Sequence, residues 1–464
     1  MSAFHRVFVI LLVAGIFPAS PGYSGNTQFS DSPAGVVDSL DRRAQDPLLS
    51  DSLKPGQMVS DALGEHYNSE QLTERNDSGS KGTRIVISER RPEGRSSSGA
   101  ESRHSDGDRV WKSQELDLLA VGMGIGDVDG DGQNEIVVID PHNVYLYRLS
   151  AGKLNRVAEY SARTLELKSV DVAKFRKQGP ARIYVSAQNR GTLASFVLEY
   201  RNGALEPVVR DFDYFLRVIV YPTQGPILLG QKKGLRNMYD GPVYRLTDKG
   251  DQLALEGRFG IPLKIPVFGF TIGDFEGKRQ PLIAVYDRND HLRIYSPDGK
   301  RMYVSKAFYG GSDVLLRWAG PEKQTSRDSI RSDDEKDDVY FRPRIMSMDI
   351  DGDKTQQIVV ISHSSKTMRL LGRSKMLEEG QVLGLLWNGD ALDEKWGTPK
   401  LEGTITDFAV EKLPELSGVR LVTLERKKTD WLAFLRSKSQ IRAYDLPSLI
   451  REGLEGGGRR SPGD

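Results

Sequence analysis

An all-β fold is what this sequence predicts: a ring of about six four-stranded blades, alternatively seven, preceded by a long segment without a core. Three observations predict it. From Trp111 onward, apolar runs of roughly four to seven residues rich in Val, Ile, Leu and Tyr alternate with turns rich in Gly, Asn and Asp, the pattern of short strands. No helical stripe of apolar residues interrupts them. A phrase of apolar run, acidic loop and second apolar run also recurs, with corresponding positions near Asp127, Asp171, Tyr221, Asp274, Asp349 and Asp407. Gaps of roughly 45–75 residues suit one four-stranded blade per repeat with loops of variable length.

Taken from the N-terminus, residues 1–25 read as a signal peptide. His5 and Arg6 precede the apolar run Val7–Phe17, and Pro18 to Gly25 supply small residues for cleavage. The run is shorter than the ~20 residues that span a bilayer, so no transmembrane helix is expected in the mature protein. Residues 26–108 form a low-complexity linker. Arg90–Asp108 is mostly Ser, Gly, Arg, Glu and Asp and buries too little to offset chain entropy. Within the linker only Gln57–Leu72, as a short helix, and Gly82–Ser88, as a strand, have the pattern to order locally. The propeller spans 109–450, and 451–464 is a disordered tail rich in Gly. Among its expected strands are Arg182–Val185, Ser195–Leu198, Leu216–Val220, Pro226–Leu229, Val243–Leu246, Leu421–Leu424, Trp431–Phe434 and Ile441–Tyr444. The acidic run Asp333–Asp338 falls in the longest gap and reads as a solvated loop. Val110–Leu116 is expected to pair beside Ile441–Asp445 and close the ring, which removes open sheet edges.

Composition narrows the function. Hydrophobic residues are only 38% of the chain, low for one folded throughout. Lys+Arg (65) balances Asp+Glu (64), so nothing electrostatic recommends nucleic acid as a partner. Cysteine is absent, which excludes disulfides, thiolate metal sites, cysteine catalysis and a lipid-anchored cysteine. An exported chain of this kind suits the periplasm, cell surface or extracellular space of a bacterium, where millimolar Ca²⁺ is available.

Two loops carry the clearest chemistry. Asp127-Val-Asp129-Gly-Asp131-Gly-Gln133-Asn-Glu135 runs directly into Ile136–Ile139. Carboxylates at alternate positions make an oxygen cage suited to Ca²⁺, which takes six to eight such ligands. An EF-hand places its bidentate Glu at loop position 12, which here is Val138, so the loop closes early and feeds a strand instead of a helix. Side chains of Asp127, Asp129, Asp131 and Glu135 and the Gln133 carbonyl are the expected ligands. The second loop offers Asp349, Asp351, Asp353, Thr355 through its backbone, and Gln357. Having one acid fewer, it should bind more weakly. Asp274, Glu276 and Asp171 read as turn residues.

These residues, with Val121–Gly126 before the first loop, Ile345–Met348 before the second and Phe268–Gly273 before Asp274, resemble the FG-GAP or VCBS repeats. The resemblance covers roughly residues 111–447 and is most specific at the first loop. It implies propeller blades, structural Ca²⁺ and a protein or glycan ligand. Lys354 and Gln357 depart from that family's pattern of glycine and acid.

Catalytic constellations are thin. The six histidines show no paired-ligand spacing, there is no Gly-x-Ser-x-Gly elbow, and no phosphate-binding loop. Gly122, Gly124 and Gly126 lead to a strand, not to the helix that a dinucleotide site requires. His142, His291 and His363 read as equivalent turn positions in repeated blades. Trp318, Trp387, Trp396 and Trp431 read as packing residues, not as a sugar platform, and Tyr145, Tyr147, Tyr286, Tyr295 and Tyr444 as inter-blade packing. The expected function is therefore non-enzymatic: an exported, Ca²⁺-stabilised binding or scaffolding module. The alternatives are a polysaccharide lyase or hydrolase built on a propeller, and a subunit of an envelope assembly docked through residues 26–110.

Overall fold

A computed structural model describes residues 110–234, 241–317, 338–364, 377, 379–427 and 438–456. The expected signal peptide, the linker with its two local elements, Trp318, Asp333–Asp337 and Trp431–Phe434 lie outside the described residues.

Six four-stranded antiparallel blades form the ring. Their innermost strands are Gly122–Gly126, Glu166–Ala173, Phe215–Tyr221, Phe270–Gly273, Ile345–Met348 and Thr404–Glu411. The first packs on both the second and the sixth, so the count is six, not seven. Closure takes the expected form. Val110–Lys112 is the outer strand of the sixth blade, with Val110 opposite Tyr444 and Lys112 opposite Arg442. Leu116 adds a bridge to Ser439.

One apolar cluster fills each gap between neighbouring blades. Met123, Ile125 and Ile136 meet Val422, Leu424 and Ile441 between the first and sixth. Val137, Ile139 and Leu146 meet Val170, Ile183 and Val185 between the first and second. The remaining four gaps are filled in the same way. A blade is therefore buried on both faces. That is why Glu135–Ile139 is buried at every position and reads as a continuous apolar run, not as the alternation of a half-exposed strand.

Two elements depart from expectation. Residues 451–456, expected as tail, complete a helix, Leu446–Gly456. Asp445 caps it, accepting hydrogen bonds from the Ser448 backbone N–H (3.0 Å) and hydroxyl (2.6 Å). Leu446, Leu449 and Ile450 are buried at i, i+3 and i+4 spacing. Gly453 lets the helix lie against the outer strand Leu392–Gly397, because a Cβ there would collide with the Lys395 carbonyl and Trp396. The second departure is a small hairpin between the fourth and fifth blades, Leu315–Arg317 with Asp338–Tyr340. Leu316 is buried with Phe215, Phe268 and Phe341, Lys168 Nζ donates to the Leu315 carbonyl at 2.7 Å, and Arg426 pairs with Asp313. These contacts all fall at the end of the ring where the innermost strands begin.

Candidate metal loops and the central channel

The two acidic loops leave the innermost strands of the first and fifth blades and match bond for bond. Asp127 Oδ1 accepts from Gly130 N at 2.7 Å and Oδ2 from Gly132 N at 3.2 Å. Asp349 does the same for Gly352 N (2.8 Å) and Lys354 N (3.1 Å). Asp131 accepts from Gln133 N at 2.7 Å, and Asp353 from Thr355 N at 2.6 Å. The backbone turns left-handed at the same places, φ +84° at Gly130 and +78° at Gly352, then +86° at Gly132 and +75° at Lys354. Lys354 thus adopts a conformation that favours glycine.

The first loop brings carboxylate oxygens of Asp127, Asp129 and Glu135 within 4.8 Å of one another, and the second does so for Asp349, Asp351 and Asp353. Asp131 is not in the first grouping. An all-oxygen set of this density suits a hard cation. Burial, with the neighbouring Asp129 carboxylate, raises the Glu135 carboxyl above its ordinary range against the opposing Val128 N–H. Burial and Asp353 do the same to Asp351.

The loops differ at their closing position. Glu135 is buried and its Oε2 accepts from Val128 N at 3.0 Å. Its Oε1 faces Arg148 Nε at 3.4 Å, and Arg148 also pairs with Asp129. Gln357, expected to supply an oxygen, points that oxygen at Trp396 instead of at the aspartates. Its Oε1 accepts from Trp396 Nε1 at 2.9 Å and its amide nitrogen faces Asp351 at 3.4 Å. The indole N–H can only donate, which fixes that amide orientation.

The channel holds what the sequence did not reveal. Arg344, just before the fifth blade, donates to Asp407 Oδ1 (Nε, 2.7 Å) and Oδ2 (Nη2, 3.1 Å), and to Asp171 Oδ1 (Nη1, 2.7 Å). It also reaches the Met123 and Val170 carbonyls at 3.2 and 3.1 Å. Asp171 Oδ2 accepts from Val218 N (2.8 Å) and Asp407 Oδ2 from Met123 N (3.0 Å), so five blades meet at this hub. Burial opposes the Arg344 charge, but Asp407 and Asp171 outweigh it and hold the guanidinium protonated well above its usual range. Buried Arg217 lies 3.4 Å from Asp171. Burial, then repulsion from Arg344, lowers its basicity. Asp171 is thus a channel residue and not the turn residue expected from sequence. Its partner lies 173 positions away, beyond any local pattern.

Other expected residues fall into structural roles. Asp274 accepts from Lys278 N and Arg279 N (3.0 and 2.8 Å), capping a shortened turn. Glu276 lies near Trp387 Nε1 (3.4 Å) and pairs with Lys278 (3.0 Å). Trp387 and Trp396 are buried. His142, His291 and His363 each set Nδ1 against a carbonyl, those of Leu165, Ser305 and Gly310, at 2.7–2.9 Å. They do not share one position in the blade. His142 is in a hairpin, His291 starts a third strand and His363 lies near the end of a second.

No protein-family model matches the sequence, and no curated protein matches it. Among solved structures, a Thermus thermophilus protein assigned as an oxidoreductase (glucose dehydrogenase) is 14% identical with a TM-score of 0.38, covering 72% of this chain and 99% of its own. BBS1N, solved in complex with ARL6DN, is 10% identical with a TM-score of 0.37, covering 73% of this chain and 97% of its own. At those values neither likeness bears on activity.

Proposed function

We propose that this chain is an exported propeller of the FG-GAP/VCBS kind, stabilised by Ca²⁺, that acts as a binding or scaffolding module for a protein or glycan in the bacterial envelope or outside the cell. The observation that carries this reading is the channel hub. Groups from five of the six blades converge there, and its two acids, Asp171 and Asp407, are committed to Arg344 and to backbone N–H groups. A general acid or base needs a proton or lone pair free to meet substrate. That supports binding over hydrolysis or elimination.

In the ion's role, Asp127, Asp129 and Glu135, and separately Asp349, Asp351 and Asp353, would hold it. Bound Ca²⁺ supplies charge neutralisation at these loops. Because it binds the folded loop and not the unfolded chain, the gain is about 2.7 kcal/mol at a hundredfold excess over Kd.

The test is thermal unfolding of the full chain with Ca²⁺ and then with chelator, alongside a panel of envelope polysaccharides assayed for retention and for new reducing ends. A midpoint raised by Ca²⁺ and restored by chelator, with polysaccharide or protein retained unchanged, is the expected result. No shift at millimolar Ca²⁺ removes the cation from the reading, and release of new chain ends replaces the scaffold with an enzyme.

A further inference from the structure

Arg148 sits in the third strand of the first blade, one position beyond the Ile136–Tyr147 pair and therefore across from Glu135. Its guanidinium engages Asp129 Oδ2 and faces Glu135 Oε1 at 3.4 Å. The other oxygens of those carboxylates are also in use. Asp129 Oδ1 accepts from Asp131 N at 3.0 Å, and Glu135 Oε2 from Val128 N and Asp129 N at 3.0 and 3.4 Å. A positive charge is therefore already built into this loop.

The fifth blade supplies the comparison. One position beyond the Ile358–Leu385 pair, Leu386 stands across from Gln357. The acid and its base have both been replaced by neutral residues, while the three aspartates and their backbone bonds are kept. Among the described residues, no basic side chain pairs with Asp349, Asp351 or Asp353. Their mutual repulsion is left to whatever cation arrives.

We propose that Arg148 is the resident cation of the first loop and holds that loop's affinity for Ca²⁺ below that of the second, reversing the order that carboxylate number alone suggests. The inference rests on the reading that these loops bind Ca²⁺ at all. A cation entering the first loop must displace the guanidinium from Asp129 and share Glu135 with it. The Arg148 side chain is 37% exposed, so it has a path into solvent, and the cost is the lost ion pair. Among the described residues the second loop has no such competitor. Its Gln357 contributes no oxygen, but its three aspartates are unopposed. The first loop consequently keeps its shape without metal, and the second is the one whose order depends on it.

Calorimetric titration of the full chain with Ca²⁺ at fixed ionic strength tests this, using the wild type, Arg148→Gln, Arg148→Lys, Asp127→Asn and Asp351→Asn. The expected result is a tighter class of site lost in Asp351→Asn and a weaker one lost in Asp127→Asn. Arg148→Gln tightens the weaker class about tenfold, and Arg148→Lys, which keeps the charge, does not. Arg148→Gln also lowers the unfolding midpoint in chelator and enlarges its rise with Ca²⁺, a readout that persists if one class is too weak for calorimetry. Unchanged or weaker binding in Arg148→Gln, or a tighter class that depends on Asp127, overturns the proposal while leaving Ca²⁺ binding intact. Absence of Ca²⁺ binding in every protein, Arg148→Gln included, overturns the underlying reading as well.

Discussion

Arg344 and Asp407, from different blades, meet in the channel as a two-pronged ion pair, Nε to Oδ1 at 2.7 Å and Nη2 to Oδ2 at 3.1 Å. The Arg344 and Asp407 side chains are only 12% and 7% exposed. Removing one partner of a buried pair strands the other, at a cost of about 3–5 kcal/mol. Arg344→Met should therefore lower stability by that amount in urea unfolding. Adding Asp407→Asn to it should recover part of the loss, because the stranded charge is removed too. A loss under about 1 kcal/mol would mean that the blades, not the hub, hold the axis together.

Ring closure depends on Leu116, buried at 5% exposure in the cluster between the first and sixth blades. Leu116→Ala should cost about 2–5 kcal/mol. It should also loosen the strand that covers Ser439–Asp445. An uncovered edge recruits other chains, so light scattering should show association that grows with protein concentration. A destabilised variant that stays strictly monomeric would show that the edge is protected in some other way.

Gly384 and Trp396 are paired across the fifth blade, and the indole lies over the glycine where a Cβ would stand. The same indole holds Gln357. Gly384→Ala overpacks this contact and should cost about 1–3 kcal/mol. Trp396→Phe leaves the buried Gln357 oxygen without its donor, at about 1–3 kcal/mol. Chemical denaturation of both variants checks the pair, and a neutral Gly384→Ala would mean that the indole can move aside.

How much of this could be read from sequence depends on the range over which each signal acts. Ile136–Ile139 was legible as a strand because burial on both faces leaves a continuous apolar run. The alternating aspartates of both loops were legible because the whole motif is local. Arg148 was not, since it meets Glu135 only through strand register, and Gln357 occupies a ligand's place in the motif while its oxygen is claimed by Trp396, 39 positions away. The Arg344 hub joins residues 63 and 173 positions apart, which no local pattern encodes. Gly453 and Gly456 disguised the final helix as a tail, although Leu446, Leu449 and Ile450 carried its spacing.

His363 makes stability depend on pH. Its ring rests on Gly380, where a Cβ would come within 3.0 Å. Nδ1 lies 2.9 Å from the Gly310 carbonyl, which only accepts, so Nδ1 carries the proton. Nε2 is then a bare acceptor and takes the Ile405 N–H at 3.1 Å. A second proton on the ring would set N–H against N–H at the junction of the fifth and sixth blades. Burial lowers the His363 basicity below its ordinary 6.5, and Arg426 adds to this, against the opposing pull of the Gly310 carbonyl, Asp313 and Asp290. The unfolded chain therefore binds the proton first as pH falls. Stability is complete above about pH 6.5 and declines below it toward the folded value, since it rises with pH wherever the unfolded state holds more protons. His363→Gln removes the titrating ring while an amide can still accept from Ile405. Urea unfolding measured from mildly alkaline to mildly acidic pH should show a steeper decline in the wild type than in this variant. Parallel curves would mean that His363 titrates alike in both states and that its neutral, Nδ1-protonated form is not what joins the two blades.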